Sequence, residues 1–255
     1  MRFRERVVVI TGGASGIGLA AAKLFAQEGA SVVLADINQA AGEAARAQVQ
    51  ETGAPARFVP VDITNAASVT AMVDTTLAEF GRIDSLFHSA GIFEPGRLTD
   101  VDERHWDRQI NINLKGTFLV LKAVIPVMVA QGGGSIVTTA STAGLTAFPD
   151  NPVYIASKAG VLMLSKALAR DYGEQGVRIN VICPGPVDSP MLMQALAKSG
   201  DAAQARQVLE ERTLLKRLAT PEEIARVVLF LAGDDASYVN GEHILIDAGK
   251  LTMNK

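Results

Sequence analysis

Val7-Val8-Val9-Ile10-Thr11-Gly12-Gly13-Ala14-Ser15-Gly16-Ile17-Gly18 decides how the rest of the chain is read. Four β-branched residues in a row predict a buried strand, and the glycine-rich turn after them opens a helix over Gly16–Gly29. Within the turn, Gly12 permits a tight bend, Gly16 lets backbone approach a pyrophosphate and Gly18 allows close helix–strand packing, with Ser15 and Ile17 beside them. Free N–H groups and the dipole at the helix start favour an anion there. An ordinary tight turn is the alternative for the segment taken alone; its place between strand and helix favours a dinucleotide.

The next strand, Ser31–Ala35, runs into Asp36, eighteen residues past Gly18. A carboxylate there can accept bonds from a ribose 2′-OH and repels a 2′-phosphate. Neither Ile37 after it nor Ser15 in the turn supplies the cation a 2′-phosphate would need, so NAD(H) is expected over NADP(H). The alternative for Asp36 is a cap on the following helix.

Outward from this unit, short apolar strands alternate with longer amphipathic segments. Strands are predicted at Arg57–Val61, Asp84–Ser89, Ser135–Ala140, Val177–Cys183 and His243–Asp247. Helices are predicted at Gln39–Glu51, Ala66–Phe80, Asp102–Val129, Val153–Glu174 and Pro221–Ala232. Strands apolar on both faces and separated by helices predict an α/β fold, a doubly wound seven-stranded parallel sheet covered on both sides. With no linker or repeat to divide it, residues 1–255 read as one domain.

Composition narrows the classes further. The 255 residues are 48% hydrophobic and 20% charged, enough apolar material for a large core. A net charge of −3 argues against a nucleic-acid partner. No uninterrupted apolar run approaches the ~18 residues of a membrane span, and Arg2, Arg4 and Arg6 precede too short a run for a secretory signal. The single Cys183 cannot form an internal disulfide, which fits a cytoplasmic setting. His88, His105 and His243 are scattered without a nearby cysteine, so no metal site is expected. Trp106 and Phe118 read as packing residues.

Tyr154 and Lys158 lie four apart and share one helix face, with Ser141 thirteen residues before the tyrosine. Taken singly, such a pair is usually a surface pair, Ser141 a loop hydroxyl and Asn113 a mid-helix polar residue. Together with the glycine turn they make a proton-transfer site. A phenol with its ordinary pKa near 10 is a poor acid/base at neutral pH. Lys158 and an oxidised nicotinamide are expected to lower it by about 3 units, or about 4 kcal/mol.

The residues Thr11-Gly12 to Gly18, Asp62, Ala90-Gly91, Asn113, Ser141, Tyr154, Lys158, Pro184-Gly185 and Asp247-Ala248-Gly249 resemble the short-chain dehydrogenase/reductase family, over nearly the whole chain. The resemblance implies a Rossmann-type fold, with Tyr154 as general acid/base and Lys158 on the nicotinamide ribose. Ser141 would bond the substrate oxygen, and the Asn113 carbonyl would hold a relay water. It also implies that Asp62 and Ile63 hold the adenine and Ser89, Ala90 and Gly91 lie along the adenosine ribose. Pro184, Gly185, Val187 and Ser189 would flank the nicotinamide, and the assembly would be a homotetramer. Three departures stand out: Ser89 replaces the usual asparagine, Ser189 the usual threonine, and Ala248 a glycine.

Between Asp188 and Arg217 a stretch without strand character, containing Met191-Leu192-Met193, predicts a substrate lid over about 188–217. Phe93, Leu145, Phe148, Asn151 and Met191 are the candidate substrate contacts. Arg206 and Arg212 read as solvated surface charge, with an anionic group as the alternative. The expected activity is NAD(H)-dependent oxidoreduction of a secondary alcohol or ketone, cyclic or medium-sized, with sugars, hydroxyacyl thioesters and steroids as other substrate classes. A 3-oxoacyl-carrier-protein reductase and a non-catalytic dinucleotide-binding regulator are the alternatives.

Overall fold

Side chains in β1, Val7–Thr11, alternate between two apolar layers, and that alternation organises the molecule. Val8 and Ile10 join one core cluster with Leu34, Phe25, Ile224 and Val228. Val7 and Val9 join the other with Val33, Leu86, Val120 and Ile136. A strand buried on both faces requires helices on both sides, and the computed structural model has them. It describes residues 1–198 and 200–252.

The remaining strands are β2 (Ser31–Asp36), β3 (Ala56–Pro60), β4 (Ser85–His88), β5 (Gly134–Thr139), β6 (Val177–Pro184) and β7 (His243–Ile246). All pair in parallel, in the order β3-β2-β1-β4-β5-β6-β7. The order reverses between β1 and β4, which opens a crevice at the carboxyl ends of those strands. The helices begin with α1 (Gly16–Gln27), α2 (Gln39–Gln50), α3 (Ala66–Phe80), α4 (Glu103–Ile110) and α5 (Gly116–Ala130). They continue with α6 (Pro152–Tyr172), α7 (Pro190–Ala197), α8 (Ala202–Glu211) and α9 (Pro221–Ala232). The starts of α2, α3 and α4 are capped by Asn38, Asn65 and Asp102, and α9 opens with a capping box between Thr220 and Glu223.

Four features depart from the sequence reading. The helix predicted over 102–129 is interrupted at Asn111–Lys115 by a π turn, in which the Gly116 N–H reaches back to the Asn111 carbonyl. The 188–217 stretch holds two helices, α7 and α8, opened by the side-chain caps of Ser189 and Asp201; Ser199 within it, like Met253–Lys255, lies outside the described residues. Ser141 lies beyond β5 rather than ending it, and caps a short 3₁₀ turn over Thr142–Gly144. Trp106 and Phe118 are each 44% exposed rather than packed, and the Lys122 ammonium lies over the Phe118 ring.

The helical run Glu103–Ala130 is long and apolar enough, by length and composition alone, to cross a membrane. Here Val120, Leu121, Val124, Ile125 and Met128 turn inward to the second core cluster.

Candidate active site

The glycine turn after β1 is held by contacts that tolerate no side chain. Gly12 and Gly16 take left-handed φ values of 69° and 52°. A Cβ on Gly12 would stand 2.8 Å from the Ala90 nitrogen, so the turn is pressed against the segment leaving β4. A Cβ on Gly18 would collide with the Gly12 carbonyl. Gly18→Ala is therefore expected to cost on the order of 1–3 kcal/mol, read as a lowered urea midpoint and weaker dinucleotide binding. An unchanged midpoint would contradict the clash.

The first turn of α1 carries no acidic residue, and Ser15 at its cap makes no side-chain capping bond. Asp36 accepts from the Ala14 N–H (3.2 Å) and the Asn38 N–H (3.0 Å), which ties the end of β2 to the glycine turn. The helix after it is capped by Asn38, not by Asp36. Ile37 is 73% exposed beside it. An uncapped helix start, backbone free of Cβ atoms and a carboxylate at the adjoining strand end fit a dinucleotide.

The other candidates along the crevice are unevenly placed. Asp62 binds Thr64 through one carboxylate oxygen, and Ile63 is buried against Gly116. The Ser89 N–H donates to the Thr11 carbonyl at 3.1 Å. Pro184 ends β6, and Gly185 abuts Asp247, where a Cβ would stand 2.9 Å from its Cα.

On α6, Tyr154, Ser157 and Lys158 form one linked surface. The Lys158 ammonium donates to the Thr139 carbonyl at 2.9 Å and lies 5.7 Å from the centre of the Tyr154 ring. A Cβ on Gly91 would lie 3.1 Å from Asn113 Oδ1 and 3.4 Å from that ammonium, so β4's exit runs close against both side chains. Phe93 packs edge-on against Tyr154, with ring centres 4.8 Å apart. Asn113, in the π turn, donates from Nδ2 to the Ile92 carbonyl and to Ser157 Oγ, while its Oδ1 accepts from the Ile92 N–H. Ser157 in turn donates to the Tyr154 carbonyl. This ties Asn113 through Ser157 to the backbone of Tyr154, with Lys158 beside the Tyr154 ring and Ser141 near enough to the phenol to favour its ionised form.

Burial acts on the phenol and the ammonium alike. Desolvation pushes Tyr154 up to about 12, and the bond from Ser141 only partly opposes it. The same burial lowers Lys158 to about 8. Burial thus opposes the charged form of each group, and that is the cost an opposite charge beside the phenol has to offset.

The lid candidates meet at the crevice mouth. Gly16 faces Ser189 and Pro190, each with a carbon 3.7 Å from where its Cβ would lie, so the start of α7 sits over the glycine turn. Val187 is buried and bridges to Ala219. Arg206 on α8 is a surface charge, as expected, and it pairs with Asp188 at 2.7 Å and Glu210 at 2.9 Å. Leu145 and Met191 expose apolar surface, and Asn151 precedes α6 with its Nδ2 on the Pro149 carbonyl. A cavity of about 510 Å³ is lined by Leu98, Phe148, Pro152 and Ile155 among others, but by none of Phe93, Leu145, Asn151 or Met191. Among the described residues, no cluster of His, Cys, Asp and Glu side chains could hold a metal.

Comparison with known proteins agrees with this geometry. Cyclopentanol dehydrogenase from Comamonas sp. is 40% identical over 248 residues, covering 97% of this chain and 98% of that protein. A 3-oxoacyl-acyl-carrier-protein reductase from Thermotoga maritima is 40% identical over 252 residues, covering 98% and 99%. The crystal structure of levodione reductase matches with a TM-score of 0.93 at 40% identity, over 98% of this chain and 99% of that one. A family model described as enoyl-(acyl carrier protein) reductase spans residues 12–250. The chain belongs to the short-chain dehydrogenase/reductase family.

As a short-chain dehydrogenase/reductase it is an oxidoreductase, and two of its site residues escaped the sequence. Ser157 links Asn113 to the Tyr154 backbone on α6, yet a serine inside a helix carries no signal of that role. His88 lies buried between the crevice strands; a histidine closing an otherwise apolar strand was the available sign.

Proposed function

We propose that the protein transfers a hydride between NAD(H) and a secondary alcohol or ketone, with Tyr154 as general acid/base assisted by Lys158, Ser141 and Asn113. The observation that carries this is the Lys158 ammonium held on the Thr139 carbonyl at the carboxyl end of β5, beside the Tyr154 ring, with Asn113 joined through Ser157 to the Tyr154 backbone. NAD(H) is preferred because Asp36 is anchored to the turn itself, where its charge opposes a 2′-phosphate. When bound, the nicotinamide would accept or supply the hydride and, oxidised, add positive charge near the phenol.

The chain's own residues do the rest. Gly12, Gly16 and Gly18 with the start of α1 bind the pyrophosphate. Ser141 orients the substrate oxygen and stabilises developing negative charge on it. The Tyr154 hydroxyl gives that oxygen its proton in reduction and takes it in oxidation. Lys158 sits beside the phenol to stabilise its anion, and the Asn113 carbonyl opens the proton path onward. Phe93, Leu145 and Met191 offer apolar contacts suited to a ring, in keeping with the cyclic alcohol and dione in two relatives' names. A homotetramer is the assembly we favour, supported by Trp106, Phe118 and Met163 exposed on α4–α6.

NADH formation over a panel of cyclic and linear secondary alcohols, with NADP as the parallel cofactor, tests the reading. Turnover of cyclic alcohols with NAD at least about tenfold above NADP is expected. Tighter binding of NADP would overturn the Asp36 assignment, and turnover confined to 3-oxoacyl thioesters would overturn the substrate class.

A further inference from the structure

Four buried polar residues form a continuous chain that the proposed mechanism leaves unused. β4 lies beside β1 with His88 opposite Thr11, and the imidazole Nδ1 is 2.7 Å from Thr11 Oγ1. Its Nε2 is 3.0 Å from Thr117 Oγ1 on α5, and that hydroxyl donates to the Asn113 carbonyl at 2.6 Å. Thr11, His88, Asn113 and Thr117 are all at most 2% exposed.

The carbonyl at one end fixes every proton in the chain. A carbonyl only accepts, so the Thr117 hydroxyl gives its proton to Asn113 and must accept from His88. His88 therefore carries its proton on Nε2, which leaves Nδ1 to accept from Thr11. Burial and the nearby Lys158 charge hold the ring neutral, with its pKa lowered to about 3. Apolar residues would fill these positions without the cost of burying polar groups, so a fully paired chain invites a reason for its presence. Its two ends supply one. Thr11 immediately precedes Gly12 of the dinucleotide turn, and Asn113 sits in the π turn, an irregularity frequent at functional sites.

We propose that His88 is a positioning residue: through Thr117 it orients the Asn113 carbonyl, and through Thr11 it locks that carbonyl in register with the glycine turn. The proposal rests on reading Asn113 as the start of the proton path from Tyr154 and Lys158. One lone pair of the carbonyl is taken by Thr117, which directs the other.

The test compares Thr117→Val, which removes the donor at nearly constant shape, with Thr117→Ser, which restores it. In the Val variant, kcat for alcohol oxidation is expected to fall about tenfold and its solvent deuterium isotope effect to rise, with Kd for NAD within about twofold of the parent. The Ser variant should recover kcat to within about twofold. Independently, ¹⁵N NMR of the histidine-labelled parent protein should show His88 protonated on Nε2 alone; with three histidines in the chain, His88→Gln assigns the signal. A His88 protonated on Nδ1, or a folded Thr117→Val enzyme with parental kcat and isotope effect, overturns the proposal. Tyr154→Phe in the same assay separates the two readings: if it stays active, the catalytic assignment itself fails. If it is inactive while Thr117→Val is unaffected, only the positioning role fails.

Discussion

Tyr154→Phe is expected to lower kcat about a thousandfold for alcohol oxidation and ketone reduction alike, with Kd for NAD within about twofold of the parent. The substitution deletes one oxygen and keeps the ring against Phe93, so the fold and the dinucleotide turn should not register it. Direction and pH then distinguish a proton-transfer role from a packing one. Burial holds the phenol near 12, so at neutral pH it is protonated and ready to donate to a carbonyl. Oxidation needs the phenolate and should accelerate as pH rises, whereas reduction should be favoured on the acid side. The Phe variant should lose both slopes together with the rate. Residual kcat within about tenfold of the parent would remove Tyr154 from the mechanism.

Lys158→Met is expected to cost about a hundredfold or more in kcat without lowering Tm at pH 7. Burial takes the ammonium from 10.5 to about 8. Between these values the unfolded chain binds more protons than the folded one, so stability rises with pH across that window and the whole cost is carried below it. That cost is on the order of 3 kcal/mol, more than the roughly 1–3 kcal/mol of leaving the Thr139 carbonyl unpaired. The enzyme thus holds a charge that weakens its fold, and removing it should leave the protein folded and slow. Lys158→Arg should not rescue the rate, since a planar fork cannot replace a compact ammonium between Thr139 and the phenol. A Met variant that is inactive only because it unfolds, seen as a Tm drop of about 5 °C or more, would contradict the sign of this balance.

The seven-stranded parallel sheet was legible because short β-branched runs such as Val7–Ile10 and Ser31–Ala35 alternate with longer amphipathic segments; the strand order was not, since it depends on contacts between distant strands. The glycine turn, the Tyr154–Lys158 spacing and Asp36 were legible for a similar reason: each depends on local chain geometry. The π turn at Asn111–Lys115 was not, since one extra residue per turn leaves the surrounding apolar pattern intact. α7 and α8 start at the ordinary capping residues Ser189 and Asp201, but at 8 and 10 residues each is too short for its apolar period to stand out. The cost of burial at Tyr154 could not be read either. Spacing places an ammonium near a phenol; only the packed crevice says how much water both have lost.

The bridge between Val187 and Ala219 also bears on how this chain could change. Asp188 donates its N–H to the Ala219 carbonyl at 2.8 Å, and Ala219 donates to the Pro186 carbonyl at 3.1 Å. Everything from α7 to the end of α8 therefore leaves and re-enters the body through one pinned doorway. Such a cassette can be lengthened, shortened or exchanged at small cost in closure entropy, while the sheet and the phenol stay where they are. If the segment is the lid proposed above, exchanging it at this doorway is expected to change which substrates are turned over while the sheet that carries the phenol keeps its stability, read as a new substrate profile at an unchanged Tm.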